Sequence, residues 1–437
     1  MAPPRRPGVF RGGVDGVLLV AVLLVAVNLR APITAVPPVV ADIAADLHLT
    51  PATAGLLTGL PVLCFALTTP AVAGILGRSS LRTAIAVALG LVLAGTLLRS
   101  ADLAIGGPGY GGTFAGTVLI GLGITTANLA VPMIAQRDFP GQVSTVTGLY
   151  TAAINVGTVA TTALTAPLAG VVGWRWGLAS WGALVVVALV WWLRAVPREP
   201  RPTRPASSES APATDDGRSP EPPDPLAQSM AEGVTGTEPD AAAAVERHVL
   251  RTPFTWWLCA MFALQSSSFY ALTAWLPLIL EDLAAIPRSA SGGAASLFQG
   301  FAIVGGLAVP LATRRLSMRT TFLGIAVLWL MLPAGLLLAP NLWAVWASAA
   351  GIAQAANFVV IFTLVAQHYP TVRRARQASA TVQSTGYCLA AVAPTAAGAL
   401  QAATGTWTAP VAVVLGALGA MTVIGAVLTG RAPASGR

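Results

Sequence analysis

The stretch VAVNLRAPITAVPP, Val25 to Pro38, places one arginine, Arg30, inside a long apolar run. A guanidinium there presents a planar fork of N–H donors, suited to carboxylates, related small anions and strongly dipolar oxygen or nitrogen acceptors. Pro32 lacks the N–H that a helix would use on the carbonyl of Asn28, and Pro132 does the same for Asn128, so each proline frees a carbonyl beside an amide side chain. Gln265, Phe269 and Tyr270 lie roughly one turn apart, and Gln383 and Tyr387 are spaced to share one helical face. With Tyr150 and Asn357 they make a set of amides and rings able to cradle a flat polar molecule by hydrogen bonding and stacking. The chemistry is recognition rather than bond-making. No phosphate loop, zinc-ligand spacing or nucleophile elbow occurs, so ATP hydrolysis and membrane-enzyme reactions have no residues to rest on, and no cofactor or metal is implied.

What positions these residues follows from composition. The 437 residues are 55% hydrophobic and 10% charged, too little charge to cover a soluble domain of that size. Apolar runs of about 20 residues, each able to cross ~30 Å of hydrocarbon, recur along the chain. They predict an all-α polytopic membrane protein with twelve spans. All 25 basic residues are arginine. With the amino terminus inside, the loops on that side hold nearly all of them, whereas the outer loops hold Arg99, Arg175 and Arg288. This asymmetry orients both termini to the cytoplasm and explains the +8 charge without a nucleic-acid partner. Cys64, Cys259 and Cys388 fall within spans, dispersed and odd in number, as packing residues rather than a disulfide framework.

From Pro197 the sequence turns to proline, serine and acidic residues, a composition that cannot form a packed core. The expected organisation is a tail at 1–14, a six-helix half at 15–196, a disordered cytoplasmic linker at 197–250, a second six-helix half at 251–430, and a tail at 431–437. The halves repeat each other: TAVPPVVAD (Thr34 to Asp42) matches TAWLPLILE (Thr273 to Glu281), and NLAVPMIAQRDFP parallels NFVVIFTLVAQHYP. The loops GRSSLR and TRRLSMR also correspond. Parallel repeats of six spans are the build of the major facilitator superfamily, with substrate bound near the midplane between halves.

Within that superfamily the chain resembles the cyanate-permease branch, which includes nitroimidazole transporters. The resemblance rests on NLRAPIT, GLLTGLPVLCFAL, RDFPGQVSTVTGLYTAA, ALQSSSFYALTAWLP and ATVQSTGYCLAAVAP, and covers nearly all of the chain except linker and tails. It departs in the loop after span 2, GILGRSSLR, which lacks the superfamily's aspartate. The resemblance implies two pseudo-symmetric halves that rock to move a small anionic or polar solute; the expected setting is a monomer in the plasma membrane, with a coupling proton, a counter-anion or uniport left open. Substrate contacts would come from Arg30, Asn128, Tyr150, Gln265, Phe269, Tyr270, Asn357, Gln383 and Tyr387.

Alternatives stay open at this point. Arg30 either faces a cavity or snorkels to the interface and bonds backbone carbonyls; ionisable groups inside a bilayer favour the first. The amides either touch substrate or tie helices together. Asp42, Arg137, Asp138, Glu281 and Arg374 are gating candidates or plain loop charges. No acidic residue falls in the middle of a span, which weakens a proton antiporter for cationic drugs. An exporter of neutral or amphiphilic antimicrobials and a non-transporting membrane sensor are the remaining readings.

Overall fold

Hydrocarbon offers backbone groups no hydrogen-bond partner, so a chain that crosses it satisfies them within helices or closed barrels. The computed structural model describes residues 16–76, 79–101, 110–139, 142–196, 249–313, 315–369 and 371–430, apart from the side chains at 70, 143, 144, 307, 310, 372, 373 and 376. The expected tails and, except for Val249 and Leu250, the expected linker lie outside the described residues. Among the described residues all regular structure is helical.

Span 1 is assembled from four short pieces: Gly16–Val27, Ala31–Thr34, a 3-10 turn Pro37–Val39, and Val40–Asp46. Spans 2, 3 and 4 are single helices, Pro51–Leu76, Leu81–Ser100 and Gly111–Asp138. Span 5 starts the helical stretch Val143–Ser180, which breaks at Gly173 (φ 79°, ψ 159°), and span 6 runs on through Gly182–Ala195. That left-handed φ is open to glycine and strained for a residue with a Cβ. In the second half, spans 7 to 12 are Pro253–Ala284, Arg288–Gly300 with Ala302–Ala312, Met318–Leu338, Trp343–His368, Val372–Thr404 and Thr408–Gly430. Eight helical stretches among the described residues are long and apolar enough to cross a membrane, and one of them, Thr145–Ala195, has 51 residues and accommodates spans 5 and 6 together. Spans 7, 8 and 11 are not among the eight: amides, hydroxyls and small residues interrupt the apolar sequence of 7 and 11, and span 8 is divided into two short helices.

Hydroxyl groups in the spans are mostly spent locally. Thr68, Thr96, Thr117, Thr125 and Thr158 each donate to the carbonyl four residues earlier, so they carry polarity through apolar surroundings without presenting it. The repeat is visible in capping. Ser80 accepts from the Thr83 N–H at the start of span 3, and Ser317 accepts from the Thr320 N–H at the start of span 9, both at 3.1 Å. Arg82, counted in the sequence as a topology signal, also donates to the carbonyls of Leu193 and Val196, the orphan acceptors closing span 6.

Each half has its own core. The first gathers Val22, Val25, Ile85, Leu89, Ile120, Ile124 and Trp192. The second gathers Phe262, Phe298, Phe322, Trp329 and Leu332. The halves meet through span 2 against span 11 and span 5 against span 8. These seams are closest on the face opposite the one that carries Gly16 and Gly430. There Gly55 and Gly59 of span 2 lie against the backbone of Pro394 and Ala391, and Gly398 of span 11 lies against the Pro51 carbonyl. A Cβ on Gly55 would stand 2.6 Å from the Pro394 oxygen. Gly59→Val is therefore expected to lower thermal stability by about 1–3 kcal/mol through overpacking. Gly74→Ala, where nothing lies within 4 Å, should leave melting unchanged or raise it slightly. Melting curves of the two variants in one detergent check the pair.

Candidate functional site

The site is built on the interruption in span 1. After Val27 the chain makes three non-helical residues, Asn28 to Arg30, before the next short helix begins at Ala31 with Pro32 in its first turn. Proline suits a first helical turn because its missing N–H has no intrahelical partner there. Backbone groups loosened by the break find side chains instead. The Asn28 amide donates to the carbonyls of Leu24 (2.8 Å) and Leu184 (3.3 Å). Thr34 donates to the Arg30 carbonyl at 3.1 Å and shares a hydrogen bond with Thr161 of span 5. Gly157 lets span 5 come up against the Val27 carbonyl.

Arg99 supplies the remaining support, and here the sequence reading is corrected. It had placed Arg99 in an outer loop and Arg30 as the one charge deep within a span. Arg99 instead lies in the last turn of span 3, 1% exposed, and its Nη1 donates to the Pro32 carbonyl at 2.8 Å. Helix 31–34 is too short to give that carbonyl an internal partner, so a buried cation takes the role. Close packing of Gly116 against Arg99 holds it there. The signal available in sequence was the carbonyl-freeing turn around Pro32, but nothing local pointed from it to a residue 67 positions away.

Arg30 itself is half-buried. Its guanidinium stands over the Phe269 ring, 5.6 Å from the centroid, a cation–π distance. In the repeat that aligns Thr34 with Thr273, Arg30 and Phe269 are equivalent positions, so the contact joins two related points across the junction of the halves. Tyr150, Tyr270 and Tyr387 all lie within the electrostatic field of the guanidinium. Tyr150 donates its hydroxyl to Asn128 Oδ1 at 3.2 Å. Tyr387 is packed edge-on by Tyr270 (6.3 Å between centroids), Phe262 (5.3 Å) and Phe65 (6.5 Å). Phe269 and Tyr270 meet at 5.0 Å. Gln383, one turn from Tyr387, is half-buried on the same helix. Asn128, Pro132 and Gln136 form an exposed stripe down span 4 toward the face carrying Gly16 and Gly430. Span 4 runs unbroken through Pro132, unlike span 1.

The structure thus gathers Arg30, Asn128, Tyr150, Phe269, Tyr270 and Tyr387, with Gln383 beside them. Gln265 and Asn357 are placed elsewhere. Gln265 Oε1 accepts from Trp329 Nε1 and, at 2.7 Å, from Asn357 Nδ2, while its Nε2 donates to the Gln354 carbonyl at 3.0 Å. Both amides are almost fully buried, at 3% and 0% exposure. They tie spans 7, 9 and 10 together inside the second half, the helix-joining alternative for these amides, with Asn357 Oδ1 left without a hydrogen-bond partner.

The gating candidates also sort by geometry. Asp42 accepts from Arg288 Nη2 at 2.6 Å, an ion pair joining the halves on the far face; Arg288 had been counted as a loop charge. Glu281 accepts from Ser291 within the second half. The described bonds of Arg137 run to its neighbour Asp138, at 2.8 Å for Nη2. The Arg374 backbone N–H caps onto Thr371 at 3.3 Å. Asp46 holds Arg175 at 2.8 Å and Trp174 at 3.2 Å, all within the first half.

A helical membrane protein of two repeated halves, with polar and aromatic side chains converging where they meet, belongs among the membrane transporters of this build. The chain is a member of the Major Facilitator Superfamily, whose family model matches residues 18–349. It is 28% identical over 407 residues to the uncharacterized transporter YycB of Bacillus subtilis (strain 168), covering 92% of this chain and 90% of that one. It is 27% identical over 396 residues to the 2-nitroimidazole transporter of Escherichia coli (strain K12), with 90% of each chain covered. The cyanate transport protein CynX of the same organism matches at 26% over 392 residues, 89% of this chain and 91% of the relative. Among solved structures, the nucleoside transporter NupG superposes with a TM-score of 0.72 at 11% identity, over 95% of this chain and 99% of that chain. At that identity the likeness speaks for the fold.

Removing Arg99 should expose how much the break depends on it. Arg99→Met leaves the Pro32 carbonyl buried without a donor, an expected loss of about 1.5–3 kcal/mol for a hydrogen bond from a charged group. Arg99→Lys should recover part of it. Thermal melting of the purified variants measures both.

Proposed function

We propose that this chain is a secondary transporter for a small planar anion or strongly dipolar nitro compound, moved by alternating access, with Arg30 as the electrostatic anchor. The observation that carries the reading is the placement of Arg30: mid-span, half-buried, over Phe269, with three tyrosines within reach of its field, and in no described ion pair. A charge held there without a carboxylate is costly unless a mobile anion offsets it. Cyanate and 2-nitroimidazole, the solutes named for two relatives, share a small rigid frame with terminal oxygen or nitrogen acceptors, which suits a planar donor fork. Asn128, Tyr150, Tyr270, Tyr387 and Gln383 would orient the solute, and Phe269 would stack on it or hold the guanidinium in place.

The arginine distribution supports a plasma-membrane topology with both termini in the cytoplasm. On that orientation the far-face seams and the Asp42–Arg288 pair close the external side, and the exposed stripe of Asn128, Pro132 and Gln136 faces the cytoplasmic path. A second reading, export of neutral amphiphiles, draws on the rings of Phe65 and Phe262 against Tyr387, with Phe358 and Phe362 packed on Phe262.

Binding decides between them. With cyanate or 2-nitroimidazole titrated onto purified protein, Arg30→Ala should weaken affinity about 10- to 150-fold, the worth of one or two charge-assisted bonds. Unchanged affinity in a variant that melts like the parent would remove Arg30 from the site and favour the amphiphile reading.

A further inference from the structure

The middle of the bundle holds positive charge with nothing negative to match it. The sequence places all 17 acidic residues near span ends, in loops or in the segment between the halves. Of the two arginines embedded among the described residues, Arg99 is committed to the Pro32 carbonyl, while Arg30 has the Phe269 ring face and three tyrosines within reach of its field. On the far face the halves are latched by Asp42–Arg288 and by the glycine seats at Gly55, Gly59 and Gly398.

We infer that the chain is an anion exchanger: it moves one small anion inward for each one moved outward, and stalls when one side has none to offer. The inference rests on the anion-anchor reading of Arg30. To change access, the far-face contacts must part and the opposite side must close. Between those two states Arg30 is cut off from water on both sides. An anion seated on the guanidinium makes that shut state electrically neutral. With the seat empty, an unpaired charge is carried through a medium of low dielectric, and a cation–π contact offsets only a small part of the penalty. Protonation offers no escape, because a guanidinium keeps its proton and, among the described residues, no carboxylate bonds to the Arg30 guanidinium to exchange one. Loaded forms therefore cross and the empty form does not. No bond is made or broken; each cycle trades two anions and, for equal valence, moves no net charge.

The test uses the full chain in liposomes with radiolabelled 4-nitrobenzoate, a planar carboxylate bearing a nitro group, as the probe. Vesicles preloaded with unlabelled 4-nitrobenzoate should take up label at least about tenfold faster than vesicles holding only zwitterionic buffer, given the penalty on an unpaired buried charge. Equal uptake in the two overturns the exchange and leaves the anchor standing. A thermal-shift titration with the same probe separates the two ideas: no shift for the parent protein overturns the anchor reading and the exchange with it. A shift without flux into either set of vesicles overturns the exchange alone. Arg30→Lys keeps the charge and should keep the dependence on a loaded interior at whatever rate it runs. Arg30→Gln should bring the ratio of the two uptakes close to one, and a ratio unchanged from the parent overturns the proposal.

Discussion

The centre of this protein depends on a backbone that stops being helical for three residues in mid-bilayer. In lipid an unpaired peptide group costs too much to persist, so the break at Asn28 to Arg30 exists only because neighbours complete it. Asn28 bonds outward to span 6, Thr34 turns back to the Arg30 carbonyl, and Arg99 reaches from span 3 to Pro32. Three separate elements therefore fix the direction in which Arg30 leaves the chain. A continuous helix would have carried that side chain round at the pitch of its neighbours. The interruption gives it an orientation of its own.

The two halves share one plan and differ where the chemistry is. Their serine caps at Ser80 and Ser317 are alike in geometry. Span 1 is broken, whereas its counterpart, span 7, is a continuous helix through Pro277. Asn128 faces the open stripe and meets Tyr150, whereas Asn357 is sealed inside the second half with Gln265 and Trp329. The first half thus contributes cation and polar surface, and the second contributes rings backed by a rigid internal network. Hydrogen bonds among these buried amides hold helices in one register, which keeps Phe269 and Tyr270 where Arg30 meets them, while Asn357 Oδ1 has no partner in the network.

Much of this was legible in the sequence, for reasons that also mark the boundary. Twelve spans and two halves could be read because bilayer thickness sets run length and the segments of the two halves repeat each other. Arg30 stood out because charge is rare in apolar sequence, and Phe269, Tyr270 and Tyr387 because aromatic and polar residues recur there at helical spacing. The sequence did not tell which way Gln265 and Asn357 face. Spans apolar on most sides leave rotation about the helix axis unset, so an inward amide and a cavity-lining amide look the same. Arg99 was lost to a boundary: one turn decides between a loop charge and a buried one, and its partner appears only when span 1 folds back. Arg288 was missed because an ion pair between halves has no local spacing to betray it.

The seams on the far face have a mechanical character of their own. Where Gly55 and Gly59 lie against Pro394 and Ala391, the atoms nearest each glycine are main chain, so no side chain is wedged at those two points. Interlocked side chains would have to leave their rotamers before the surfaces could separate, and would need to find them again on return. Smooth main-chain surfaces shed that requirement. On the proposed alternating-access cycle they would act as a bearing, close-fitting at rest yet able to roll apart with little rearrangement, with Asp42 to Arg288 as the one ion pair between the halves among the described residues.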